Sequence, residues 1–104
     1  MKRDFSQAMV SLGQALPDNF HTLGAVCISA LMGVYQDEQS LSGEDKFKRY
    51  KLAERINAGG ILEVSAEDIA LLKKLIGKNW SAAVVGPAYE ALERDAMDSS
   101  SVES

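Results

Sequence analysis

The 104-residue chain has only one cysteine, Cys27, and only one histidine, His21. A single cysteine cannot form an internal disulfide, and two soft ligands six positions apart do not share a helix face or complete a zinc site. A Cys–His nucleophilic pair would also need further partners. The sequence therefore predicts no metal, and it predicts a non-enzymatic protein. A lone cysteine among apolar residues is typical of the reducing cytoplasm.

Long apolar runs and phosphate-binding glycine motifs are also missing. The longest apolar stretch, from Leu23 to Tyr35, has about 13 residues, whereas a membrane span needs about 20. Neither Gly-x-x-x-x-Gly-Lys-Ser/Thr nor Gly-x-Gly-x-x-Gly occurs, so we expect no nucleotide cofactor. The basic start is not followed by an apolar run, so we expect no signal peptide and a cytoplasmic location. A net charge of −4 gives no general attraction to nucleic acid or anionic lipid.

The strongest signals present are two helix starts of the same design. Ser42 is followed three positions later by Asp45, and Ser65 by Asp68. A serine hydroxyl at the N-cap can accept a backbone N–H of the first turn, while the acid can accept the N–H of the cap. The first start predicts a helix from about residue 43 to 58, ended by two glycines. The second predicts a helix from about residue 66 to 77.

Apolar spacing predicts which side of each helix is buried. In the first capped helix, the residues expected to point inward are Phe47, Tyr50, Ala53 and Ile56. In the second, Ile69, Leu72 and Ile76 form the apolar row. The cations Lys48, Lys51 and Arg55 form a stripe on the opposite side of the first helix.

Two further helices complete the helical part. Thr22 is the expected N-cap of a helix from Leu23 to about Tyr35, in which small residues recur every four positions at Ala25, Ser29 and Gly33. Small residues at that spacing let another backbone approach closely, either inside the monomer or across a dimer seam. The last helix begins after Ser81 or at Gly86-Pro87, and Tyr89, Leu92 and Ala96 are expected to face inward.

The β content depends on the N-terminal region. Ile61–Val64 is short and β-prone, and it needs a strand partner to satisfy its backbone donors. Residues 5–17 fit either a helix or a hairpin around Gly13. We therefore expect a helix-dominated α+β domain over residues 1–97, in which three to four helices pack on a small β element formed by the N-terminal hairpin plus Ile61–Val64. An all-α fold is the alternative, and the acidic, serine-rich residues 98–104 are expected to be disordered.

Two sets of residues are candidates for an interaction surface. The stripe of Lys48, Lys51 and Arg55 has the chemistry to meet phosphates. However, the connection between the two capped helices is longer than a helix-turn-helix allows, and a solvated helix face is the simpler interpretation. Trp80 and Tyr89 would be interface anchors if exposed, and core residues if not.

Several segments taken together resemble small proteins of unassigned role that tailed bacteriophages and prophages encode. The resemblance covers roughly residues 20–93 and includes the following segments: Thr22-Leu23-Gly24-Ala25-Val26-Cys27, Tyr35-Gln36-Asp37-Glu38-Gln39, Leu41-Ser42-Gly43-Glu44-Asp45-Lys46, Ser65-Ala66-Glu67-Asp68-Ile69-Ala70-Leu71 and Val84-Val85-Gly86-Pro87-Ala88-Tyr89. It implies a phage or prophage origin and the cytoplasm of an infected or lysogenic bacterium. It implies no catalytic residues.

These observations together predict a phage interaction protein. We expect it to bind a protein partner, which is another phage protein, a host protein or a second copy of itself. It would act in particle assembly or in modulation of a host protein. The alternative is a nucleic-acid-associated regulator that uses the basic helix face of Lys48, Lys51 and Arg55.

Overall fold

A computed structural model describes residues 1–15, 21–33, 35–38 and 40–94. In these ranges the helices are α1 (Leu23–Met32), α2 (Gly43–Asn57), α3 (Ala66–Asn79) and α4 (Ala82–Glu93), with a 3₁₀ turn at Gln36–Glu38. The strands are β1 (Lys2–Asp4), β2 (Val10–Ser11), β3 (Gln14–Ala15) and β4 (Ile61–Glu63). This confirms the predicted helix-dominated α+β fold. The expected tail at 98–104 and the expected inward position of Ala96 lie outside the described residues.

The three predicted N-caps are all formed. Oγ of Ser42 accepts the N–H of Asp45 at 3.0 Å, and Oγ1 of Thr22 accepts the N–H of Ala25 at 3.1 Å. At Ser65 both halves of the capping box are present, because the Asp68 carboxylate also accepts the Ser65 N–H at 3.1 Å. These bonds satisfy backbone donors that a helix start leaves without a partner.

The helix ends agree with the prediction only in part. α2 stops before Gly59 and Gly60, which both have positive φ and terminate it as expected. α1 stops at Met32, earlier than predicted, and α3 runs on to Asn79. α4 begins directly after Ser81, so Pro87 lies inside the helix and not at its first position.

The described strands form two separate two-stranded antiparallel sheets. β2 and β3 make the predicted hairpin around Gly13, while β4 pairs with β1 in the register Arg3↔Leu62. The expected partner region of β4 was therefore correct, but the expected single β element of hairpin plus Ile61–Val64 was wrong. The hairpin instead packs against α4 and is joined to the start of α1 by a bridge between Ala8 and Thr22.

α1 lies at the centre of the core and packs against α2, α3 and α4. Its start is pressed against the N-terminal segment, because the Gly24 N–H donates to the Phe5 carbonyl at 2.7 Å. A Cβ at Gly24 would come within 2.8 Å of that oxygen, so only glycine fits there. The fully buried side chains around α1 include Phe5, Met9, Leu23, Val26, Cys27, Leu72, Leu75, Ile76 and Leu92.

Close packing inside the monomer runs through Gly24, and within the predicted row of small residues it is seen at Gly33, where a Cβ would come within 3.0 Å of the Tyr35 hydroxyl. Ser29 in that row is exposed, and Ala25 and Gly33 are only half-buried. The alternative role for the row, a seam between two copies, stays a prediction.

The buried face of α2 differs from the predicted one. Ala53 and Ile56 are buried as expected, but Phe47 is 57% exposed and Tyr50 is 49% exposed. The face that packs is instead Arg49, Leu52, Ala53 and Ile56. The physical reason is that two hydrogen bonds to Glu38 hold Arg49 on the buried side, so that Phe47 and Tyr50 lie on the side of the helix that stays exposed.

The turn of the β2–β3 hairpin contains an unusual residue. Leu12 and Gly13 connect the strands with φ of 52° and 83°. Two positive φ values are typical of a type I′ turn, which favours Asn or Gly at its first position. Leu12 is also fully exposed. A leucine therefore occupies a left-handed conformation that costs about 1–2 kcal/mol, while its side chain stays in solvent.

Replacing Leu12 with Asn should raise the free energy of unfolding by about 1 kcal/mol, because Asn tolerates the left-handed conformation better. Urea unfolding followed by circular dichroism measures this change. Gly13→Ala is the matched control and should destabilise, since a Cβ meets no atom there and only the backbone conformation opposes it. A Leu12→Asn protein less stable than the wild type would contradict the strained turn.

Candidate functional site

A cleft of about 480 Å³ opens between the end of α1, the 3₁₀ turn and the first half of α2. A cavity of this size is within the range that holds a small ligand or the side chains of a partner. One wall is apolar and the other carries charged groups. The lining residues are Leu31, Met32, Gly33, Tyr35, Gln36, Glu38, Leu41, Lys46, Arg49 and Tyr50.

A buried ion pair forms the charged wall. The Arg49 guanidinium donates to both carboxylate oxygens of Glu38, at 2.8 and 2.9 Å, and the two side chains are only 9% and 10% exposed. Lys78 of α3 donates to Glu38 at 3.3 Å and to Asp37 at 3.1 Å. This network fastens the 3₁₀ turn to both α2 and α3.

The network keeps Glu38 ionised well into the acid range. Hydrogen bonding from Arg49 is the main reason that the pKa of Glu38 falls from 4.5 to about 2, and Lys78 adds to it against the opposing effect of burial. At neutral pH the carboxylate and guanidinium thus neutralise each other inside the cleft. The charged wall needs no counter-charge from a ligand.

Tyr35 is a further polar residue in the lining of the cleft, and its hydroxyl already has a hydrogen-bond partner. Its hydroxyl donates to the Ala30 carbonyl at 2.7 Å, near the end of α1, and its ring lies against Gly33. The Lys78 ammonium sits 5.3 Å from the centre of that ring. Within the described ranges, no buried side-chain nitrogen or oxygen lacks a hydrogen-bond partner. The cleft therefore suits a neutral, apolar occupant.

Two large exposed apolar side chains belong to the lining of the cleft, and a third lies on the same helix as one of them. Met32 and Tyr50 line the cleft, and Phe47 lies one helical turn from Tyr50. We call Met32, Phe47 and Tyr50, together with the cleft, the apolar face. Lysines surround it: Lys46 is exposed at the rim, and Lys51 lies 5.9 Å from the centre of the Phe47 ring.

The basic stripe predicted from the sequence is exposed on α2, but two of its three cations are engaged. The Lys51 ammonium lies 2.7 Å from the Glu54 carboxylate, and Arg55 donates to the Glu63 carbonyl. Among the described residues, Lys48 alone of the three makes no ion pair or side-chain hydrogen bond. Phosphate binding by the stripe would have to break these contacts.

The two predicted aromatic anchors are held mainly by the protein itself. Trp80 is half-buried and packs against the core. Tyr89 is also half-buried, and its hydroxyl donates to the Lys73 carbonyl at 2.6 Å. Trp80 follows the end of α3 and Tyr89 lies on α4, whereas the basic stripe lies on α2. The sequence missed the aromatic pair that is exposed, Phe47 and Tyr50, because helical spacing placed it in the core.

The described part of the chain gives little evidence for a catalytic cysteine or a metal site. Cys27 is completely buried, and burial raises the pKa of its thiol, so the thiolate that acts as a nucleophile does not form at neutral pH. No group of three or more His, Cys, Asp or Glu side chains in the described ranges is arranged to hold a metal ion. None of the helices described here is long and apolar enough to cross a bilayer.

Glu38→Gln should lower the free energy of unfolding at neutral pH by about 2 kcal/mol, because Arg49 loses its charged partner. The depressed pKa of Glu38 also stabilises the wild type above the unfolded value of 4.5, and this stabilisation is lost as the pH falls toward 2. Urea titrations at several pH values between 7 and 2 measure the free energy of unfolding of both proteins. The difference in this free energy between wild type and variant should become smaller as the pH falls. A difference in unfolding free energy that stays constant with pH would contradict the assigned pKa of Glu38.

Comparisons with protein-family models, curated proteins and solved structures give no match to this chain. No activity or partner can thus be carried over from a relative. The functional argument depends on the chain's own surface, and above all on the apolar face formed by Met32, Phe47, Tyr50 and the cleft.

Proposed function

We propose that this protein is a non-enzymatic interaction protein that binds another protein through its apolar face. The observation that carries this proposal is the exposure of Phe47 and Tyr50 on one side of α2, where Tyr50 also lines the cleft. Aromatic residues and methionine are enriched where proteins bind one another, and clustered exposed apolar side chains are uncommon on surfaces that meet only water. The fold itself gains little from leaving these side chains in solvent.

A nucleic-acid regulator that uses the basic face is the weaker alternative. The net charge of −4 opposes it, and Lys51 and Arg55 already have internal partners. Exposed aromatic rings next to lysines do stack on single-stranded bases in other proteins. The experiment below separates the two functions by its choice of variants.

The sequence resemblance supports placing this interaction in a bacteriophage or prophage. In that setting the protein would act in the bacterial cytoplasm, in particle assembly or in modulation of a host protein. The positions of neighbouring genes test this part. Neighbours that encode tail or capsid proteins favour assembly, whereas early genes favour host modulation, and a chromosomal setting without phage genes would contradict it.

A photo-crosslinking amino acid at position 47 should form an adduct with the partner in the cells that produce the protein, and mass spectrometry identifies the adduct. The partner's affinity is then measured by calorimetry for wild type and for the double variant Phe47→Ser, Tyr50→Ser. We expect at least a tenfold loss, about 1.4 kcal/mol, because these rings are the exposed anchors. The variant should keep the wild-type thermal unfolding temperature within a few degrees, since both side chains face solvent.

Lys48→Ser is the matched control on the same helix and should leave the affinity unchanged. If instead Lys48→Ser weakens binding and the aromatic variant does not, the apolar face is not the binding surface. Crosslinking to nucleic acid with a strong salt dependence would favour the regulator instead.

A further inference from the structure

We propose that the cleft receives the tip of the β2–β3 hairpin from a second copy of this chain, with Leu12 as the anchoring side chain. The inference rests on the proposed function, because it names a partner for the same apolar face. Two features of one chain support it: Leu12 is a fully exposed apolar side chain, and the cleft offers the apolar side chains of Leu31, Met32 and Tyr50.

The hairpin tip has the properties of an interface anchor. Leu12 is fully exposed in a left-handed backbone conformation, and the neighbouring Val10 is half-exposed. Asn or Gly at this turn position would give the isolated chain a higher free energy of unfolding. Strained residues without a role in folding are frequently retained for function. The segment from Phe5 to Ala15 also contains no charged residue, so burying the tip removes no charge from water.

The cleft has the complementary chemistry. Glu38 and Arg49 neutralise each other, and the Tyr35 hydroxyl is occupied by the Ala30 carbonyl. An ionic ligand would therefore find no unpaired buried group, whereas a branched aliphatic side chain can contact Leu31, Met32 and Tyr50. The volume of about 480 Å³ leaves room for Leu12 together with part of the turn.

The positions of tip and cleft exclude docking within one molecule. The hairpin is joined to the N-terminal end of α1, where the Met9 N–H donates to the His21 carbonyl at 2.7 Å, and its strand β2 packs on α4. The cleft begins at the opposite end of α1, and ten helical residues span about 15 Å. The tip must therefore enter the cleft of another copy.

The resulting contact is head-to-tail, because each copy offers its tip at one end and its cleft at the other. Such a heterologous contact continues into a ring or an open chain and does not stop at a two-fold dimer. Because few side chains take part, we expect weak binding, with a dissociation constant on the order of 0.1 mM. Assembly at a high local concentration, as in a growing particle, would make such a contact effective.

Sedimentation velocity over a range of protein concentrations tests the proposal. The average mass of the wild type should rise with concentration up to about 1 mM, whereas Leu12→Asn and Met32→Lys should each stay monomeric. The first removes the anchor and keeps the turn. The second places a charge at the mouth of the cleft, at an exposed helix end where a cation is tolerated. Ile61→Thr, which removes an exposed apolar side chain elsewhere, should associate like the wild type.

Mixing the two variants gives the decisive measurement. Leu12→Asn keeps a functional cleft and Met32→Lys keeps a functional tip, so the equimolar mixture should form a complex of one copy of each and nothing larger. A wild type that stays monomeric, a Leu12→Asn protein that associates like the wild type, or a mixture that stays monomeric would each overturn the proposal.

The same variants separate this proposal from the proposed function. If Leu12→Asn keeps the wild-type affinity for a crosslinked partner while the Phe47, Tyr50 double variant loses it, the apolar face binds a different protein. In that outcome the self-docking of the hairpin is wrong and the interaction function remains. If the double variant retains the affinity, the proposed function itself fails.

Discussion

The burial of α1 is the constraint on which the rest of the structure depends. This helix of ten residues carries no charged side chain and contacts all three other helices. Gly24 lets the Phe5 carbonyl approach its first turn, so the N-terminal segment is packed onto the same centre. Because an apolar helix of this kind must be covered on most sides, the surrounding elements are arranged around it.

The length of α1 also creates the candidate site. The helix ends at Met32, which lines the cleft together with Tyr50 of α2. The Glu38–Arg49 pair then fixes the connection between the two helices and leaves a cleft beside it. Buried ion pairs contribute little net stability, but they do hold a segment in one position, which is their role here.

Two surface features are poorly explained by folding alone. One is the apolar face with its exposed aromatic rings, and the other is Leu12 at the hairpin tip. Both leave apolar area in water, and Leu12 adds a strained backbone conformation. The proposed binding role would account for both, because the free energy lost in the isolated chain is recovered when these side chains leave water in a complex.

Local interactions allowed the sequence by itself to determine the capped starts of α1, α2 and α3 and the glycine end of α2. These helix starts and this helix end depend on atoms that lie within a few positions along the chain, as at Ser65 and Asp68. The hairpin turn at Gly13 and the helix-dominated fold class belong to the same group, although the sequence left a helix open as an alternative for that segment.

Tertiary structure alone decided the buried face of α2, the pairing of β4 and the candidate site. Helical spacing is satisfied by a stripe through Phe47 and Tyr50 and also by one through Arg49 and Leu52, and the second is the one that packs against the rest of the protein. The strand partner of Ile61–Glu63 lies about 60 residues away, at Lys2–Asp4. The Glu38–Arg49 pair joins side chains eleven positions apart and puts an arginine on the buried face of α2, which the spacing of apolar residues does not predict.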